Sequence, residues 1–304
     1  MPQVFISHSS EDSEVLSLEG SIARRQGRFE EAVERLTAAL QVDPTSLQLI
    51  KQLAFLQLAL RHWPEAERLW NRAIELAPND PQRMDDRARF IFAKTGSLAE
   101  LKSFLGTLRP GAEDDRNYLS DRICVAILER DWPTARAEAL EIGDTDSFDY
   151  FGFLDVSVPE KLVLVEIARF AGENLDTDEF RRLRETLAQR VAASSDSPTL
   201  LVALAFFDAL LGHTEQALAA AEKVAQALPA IKDPITRADL QANLAAVLAW
   251  SGQVDRAFQL LDQVTAAPCF TALNYGFFLV DPIWDPLRHD PRYATILVKL
   301  KPKE

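Results

Sequence analysis

Six small or apolar residues recur at one fixed interval. Leu16, Gly20, Ala32, Leu36, Ala39 and Pro44 return as Ile50, Ala54, Ala66, Trp70, Ala73 and Pro78, each 34 positions later. That length is one supersecondary unit, which buries its apolar face only by stacking on the next. Within the first unit, apolar and small residues fall at helical spacing on both sides of "QGRF" at 26–29, so the unit reads as two helices joined by a turn. Gly20/Ala54 and Ala32/Ala66 are small where paired helices would cross closely, and Leu36/Trp70 would fill the space between neighbouring units. Pro44 and Pro78 end the second helices, because proline cannot continue the helical hydrogen-bond ladder.

The period weakens and then returns. Met84 and Ala88 continue the shift, which slips near "KTGSLAELKSFLGTLRPG"; "WPTA" at 132–135 echoes "WPEA" at 63–66, with proline at the first turn of each second helix. The stretch 143–157 interrupts the pattern as an aromatic and acidic loop, and 159–193 reads as a helix pair turning at "AGENLD". Ala205, Gly212, Ala217 and Pro229 then keep the spacings of Gly20, Gly27, Ala32 and Pro44, and Ala245, Gly252 and Ala257 repeat the first two after an insertion around "AIKDPI".

Period and residue types resemble the tetratricopeptide repeat (TPR) family. The resemblance implies an all-α, right-handed superhelix of antiparallel helix pairs, with about 13 helices in a chain of this length. It places the repeats in 14–268, irregular around 95–195, between an N-terminal segment 1–13 and a C-terminal capping segment 269–304. It also implies a non-enzymatic scaffold that binds a protein or peptide in its concave groove.

Both ends carry further resemblances. "VFISHSSED", Val4 to Asp12, is similar to the first strand of a Toll/interleukin-1 receptor (TIR) domain. The repeat begins by about Glu14, so the nonapeptide is at most a strand remnant or cap; the alternative role it raises is a regulatory arm of a TIR-linked, NAD-cleaving bacterial defence or signalling protein. "FFLVDPIWDPLRHDPRYATIL" resembles the segment that closes TPR arrays in large bacterial signalling proteins. There Trp284, Leu287 and Tyr293 would cover the apolar side of the last repeat, and the two Asp-Pro pairs would set turns before a helix over 291–300.

Composition narrows the partners. A formal charge of -13 repels phosphate backbones and anionic membrane surfaces, so neither nucleic acid nor membrane is expected. Two cysteines, Cys124 and Cys269, are too few for a disulfide framework and read as buried thiols of a cytoplasmic protein. His8, His62, His213 and His289 sit in different units and share no ligand spacing, so no metal is expected; no glycine-rich phosphate loop or catalytic constellation is present, and no cofactor is expected. The aspartates of "GDTDSFDYFGFLD" lack the central glycine and terminal glutamate of a calcium loop.

The first helix of each unit would line the groove. In the first three units that register presents Arg24, Arg25, Lys51, Phe55, Arg89 and Phe92. Basic residues gathered in an acidic chain suggest an acidic or carboxylate-ended peptide, held by arginine forks with Phe55 as apolar anchor; a solvated face with internal ion pairs is the competing reading. Val202, Phe206, Ala246 and Trp250 form a second, apolar stretch of groove, open to a partner helix or to the protein's own C-terminal segment.

Overall fold

The computed structural model describes residues 3–108, 118–141, 148–150, 154–158, 162–194, 197–269 and 273–303. Among them are sixteen α-helices, mostly in antiparallel pairs. The first three pairs are α1 (Gln3–Arg25) with α2 (Phe29–Val42), α3 (Leu47–Ala59) with α4 (Trp63–Leu76), and α5 (Pro81–Thr95) with the short α6 (Ala99–Leu105). Next come α7 (Leu119–Leu128) with α8 (Trp132–Glu141), α11 (Pro198–Leu211) with α12 (Thr214–Ala227), and α13 (Pro234–Trp250) with α14 (Val254–Thr265); between them α9 (Leu162–Phe170) packs on α8 and α11, and α10 (Asp178–Ala193) packs on α11, so 159–193 does not form the helix pair expected from its sequence. The C-terminal segment adds α15 (Tyr275–Val280), a 3-10 turn over Pro282–Leu287 and α16 (Pro291–Leu300).

Local chemistry sets the starts. Asp80, Ser197, Asp233 and Asp290 each accept a backbone N–H from the helix they precede, and each is followed by proline in the first turn. The side chain satisfies an orphan donor while proline occupies a position that needs none. Within pairs, small residues permit the close approach: a Cβ on Gly20 would lie 2.9 Å from Leu36 Cγ and 3.3 Å from the Ala32 carbonyl oxygen. Ala32, Ala54 and Ala66 are fully buried. Replacing Ala66 by phenylalanine is expected to cost about 1 to 3 kcal/mol, because the crossing has no room for a ring; an unchanged urea midpoint would contradict that packing.

Two further features depart from the sequence reading. Val4 to Asp12 lies inside α1 and is helical, not a strand. A strand needs a neighbour to pair with, and among the described residues the only sheet is elsewhere; continuing an established helix adds one hydrogen bond per residue. The interruption at 143–157 holds β1 (Phe148–Tyr150) and most of β2 (Leu154–Val158), paired antiparallel with Phe148 opposite Val158. The rest of the calcium-like stretch lies outside the described residues.

The array closes on itself. Arg61, at the turn between α3 and α4, donates to the carbonyls of Val264, Thr265 and Ala267 at 3.3, 3.1 and 2.9 Å, and the Cys269 amide donates to Ala59 O at 3.2 Å. Farther along, Arg130 at the α7–α8 turn grips both carboxylate oxygens of Asp285 at 2.7 Å. Turns of the second and fourth pairs thus hold the C-terminal residues across the inside of the array.

Candidate peptide-binding cleft

The positions expected to line the groove are nearly all occupied by the protein itself. Arg24 pairs with Asp233 at 3.3 Å, and Lys51 pairs with Asp86 at 3.2 Å while lying over the Phe55 ring. Arg89 sits between Asp85 and Asp121, at 2.9 and 2.7 Å. Burial would lower the pKa of Arg89, but the charges of Asp121 and Asp85 hold it above its ordinary value. Burial, and then the neighbouring Asp121, push Asp85 up to about 7 against the pull of Arg89. The reading with internal ion pairs therefore describes these three cations: buried aspartates on α5 and α7 need Lys51 and Arg89 as counter-charges, and Arg24 meets the capping aspartate of α13. Of the four basic groove residues, Arg25 is exposed and makes no ion pair among the described residues.

Phe92 is fully buried, not a groove surface; its ring meets Phe277 of α15 edge-on at 4.8 Å. The second apolar stretch is covered in the same manner. Val202, Phe206 and Ala246 are buried, and Trp250 Nε1 donates to the Ile283 carbonyl at 2.8 Å. Trp284, Leu287 and Tyr293 are buried beside them, with Phe278 stacked on Tyr293 at 4.4 Å. The protein's own C-terminal segment is the occupant of this part of the groove.

Among the described residues a cleft opens between the first two pairs and the start of α13, with a volume of ≈ 360 Å³. Phe55, Leu56 and Ile235 form its apolar wall. Phe55 is held edge-on to Trp70 at 5.0 Å, so its ring is fixed. Asp233 spends one oxygen on the Ile235 and Thr236 amides as the N-cap of α13 and the other on Arg24. Ser17 Oγ donates to Gln52 Oε1 at 2.8 Å, which leaves the Gln52 amide nitrogen without a partner among the described residues. The Ser21 and Thr236 hydroxyls are likewise uncommitted at the rim.

The sequence register found Arg24 and Phe55, but the α13 wall could not be seen: Asp233, Ile235 and Thr236 come together with α1 and α3 only because the array closes. The one signal was "AIKDPI", an insertion in the 34-residue period that places an Asp-Pro helix start there. Neither cysteine is poised for chemistry. Burial raises the thiol of Cys269, which donates to Asp239 at 3.0 Å, and burial raises that of Cys124 as well. Among the described residues no three His, Cys, Asp or Glu side chains could together hold a metal ion, and no helix is long and apolar enough to cross a membrane.

A family model for the tetratricopeptide repeat matches residues 23–84. Among solved structures the chain is similar to a tetratricopeptide repeat protein from Parabacteroides merdae ATCC 43184, with 14% identity over 95% of this chain and 99% of that one, at a TM-score of 0.48. It is also similar to PilW, a widely conserved type IV pilus biogenesis factor (14% identity, 84% and 92% covered, TM-score 0.34), and to yeast Tom70 (11% identity, 95% and 68% covered, TM-score 0.29). No curated protein sequence matches the chain.

Proposed function

We propose that the chain is a non-catalytic interaction scaffold that binds a short peptide segment in the cleft between α1, α3 and α13. The observation that carries this reading is the combination lining that cleft: a fixed aromatic wall at Phe55 beside uncommitted donors and acceptors at Gln52, Ser21 and Thr236. Extended peptides offer what such a surface lacks, namely backbone N–H and C=O groups at regular intervals and one apolar side chain to bury. The tetratricopeptide match over 23–84 takes in Leu36 of α2 and Gln52, Phe55 and Leu56 of α3 on this wall and supports the same reading.

The volume suits two or three residues rather than a whole helix, whose diameter is about 10 Å. Acidic character in the ligand is not what the cleft selects for: Arg24 is already neutralised by Asp233, and the net charge of -13 repels acidic chains at long range. The preferred ligand is a near-neutral peptide with one large apolar residue.

Selection of a displayed random-peptide library on the purified chain tests this directly. Peptides sharing one apolar position are expected, and Phe55→Ala should weaken them by roughly tenfold or more while the chain still unfolds cooperatively, at a somewhat lower temperature because the contact with Trp70 is lost. Selected peptides that bind Phe55→Ala and Gln52→Ala as tightly as the wild type would place the site elsewhere.

A further inference from the structure

The outer face of α1 carries an exposed apolar stripe, part of which matches a face that is buried between the following pairs. Val15, Leu18 and Ile22, spaced to fall on one stripe of the helix, are 56%, 62% and 45% exposed. Moving by the repeat period, Val15 corresponds to Leu49, and Ile22 to Leu56 and then Phe90, all of which are buried; Leu18 corresponds to Gln52 and then Asp86, so an apolar side chain at that position is particular to α1. Those equivalents lie on first helices packed against the second helix of the preceding pair, as α3 packs on α2 and α5 on α4; Trp63 of α4, for example, meets Phe90 at 6.1 Å. On α1 the same inter-repeat face has no helix over it among the described residues.

The charges around the stripe favour one occupant. Glu11, Asp12 and Glu14 occupy the N-terminal side of it, and Arg25, exposed in the last turn of α1, stands at the other end, while Arg24 turns to Asp233 in the cleft. A second α1 laid antiparallel across the stripe brings the acidic part of each helix beside the basic end of the other. Centred on Leu18, it sets Leu18 against its own counterpart, seats Val15 between Leu18 and Ile22 of the other copy, and brings Glu11 level with Arg25. A two-fold interface requires one patch that is complementary to itself, and an acidic-to-basic helix with a central apolar stripe meets that condition only in the antiparallel sense. We propose that α1 is a homodimerisation surface, through which two copies of this chain pair antiparallel about Leu18. The surface is separate from the peptide cleft, so two clefts would be presented by one dimer.

Sedimentation equilibrium over a concentration series, from about 1 to about 100 µM, tests this. A concentration-dependent dimer is expected. Leu18→Glu should raise the dissociation constant by at least roughly tenfold with helicity retained, because it puts an unpaired carboxylate into the apolar contact. Arg25→Glu should weaken the dimer, and adding Glu11→Arg to it should restore pairing. Independently of any loss of folding in those variants, Leu18→Cys should form a disulfide-linked dimer under mild copper-phenanthroline oxidation, whereas the wild type, whose Cys124 and Cys269 are buried, should not. A wild-type chain that stays monomeric throughout the series, a dimer indifferent to Leu18→Glu, or a Leu18→Cys chain that does not crosslink would overturn the proposal.

Discussion

Replacing Gly276 by alanine is expected to expel the C-terminal segment from the inside of the array. A Cβ at Gly276 would fall on the carbonyl oxygen of Phe92, with the carbonyl carbon at 2.9 Å and Ala93 Cα at 3.2 Å. These are backbone atoms in the last turns of α5, fixed by the helix's own hydrogen bonds, so no side-chain rotation relieves the clash. Either α5 or α15 must move, and α15, with only six residues, is the weaker element. Its departure would strip Phe277 from Phe92 and loosen the cover over Trp250. The expected cost is about 3 kcal/mol or more, at the upper end of overpacking effects because the obstacle is backbone. A lowered melting temperature, new dye binding to apolar surface and faster proteolysis between α14 and α15 should appear together. A Gly276→Ala chain with wild-type melting and proteolysis would show that α15 is not wedged against α5.

The closure that makes Gly276 critical was the part of the fold least visible in the sequence. Periodicity at 34 residues revealed the helix pairs, because each unit carries its own small residues at the crossing and its own proline stop; Gly20, Ala32 and Ala66 sit where that argument put them. Packing between residues far apart leaves no period. Nothing local in Arg61 announces that it will reach the carbonyls of 264–267, and nothing in Phe92 distinguishes a groove residue from one buried under Phe277. The register predicted which side of each first helix faces inward. It left open whether the apolar stretch at Val202 to Trp250 would be covered by the C-terminal segment, and it did not place Phe92 under Phe277. The basic residues left two readings open for a related reason: their partners Asp86, Asp121 and Asp233 are scattered along the chain, so nothing local separates a free groove cation from one already paired.

Acids buried with a raised pKa make stability depend on pH in an unusual direction, and Asp281 gives the clearest case. Burial raises its pKa from the ordinary 3.8 to about 7, although the Ile283 amide and the charges of Arg288 and Arg130 pull the other way. Glu166 is raised well above its ordinary value, first by burial and then by the charge of Asp281. Between about pH 4 and about pH 7 the folded chain therefore holds a proton at Asp281 that the unfolded chain has released. Stability is fully present below that window and falls as pH rises through it, the opposite of a salt-bridged carboxylate. Asparagine at 281 can still accept the Ile283 N–H, which Asp281 now accepts at 2.9 Å, so the cap on the 3-10 turn survives while the buried charge does not. Asp281→Asn is expected to melt like the wild type near pH 4 and to be more stable than it at pH 8 by about 2 kcal/mol. A shift of about three pKa units sets a ceiling of about 4 kcal/mol, and water entry on ionisation reduces it. Its stability should also decline less steeply with pH, keeping only the share of Asp85, Asp121 and Glu166, all raised in the same direction. Urea titrations of both proteins at several pH values measure the two slopes, and parallel slopes would mean that Asp281 remains ionised in the folded chain.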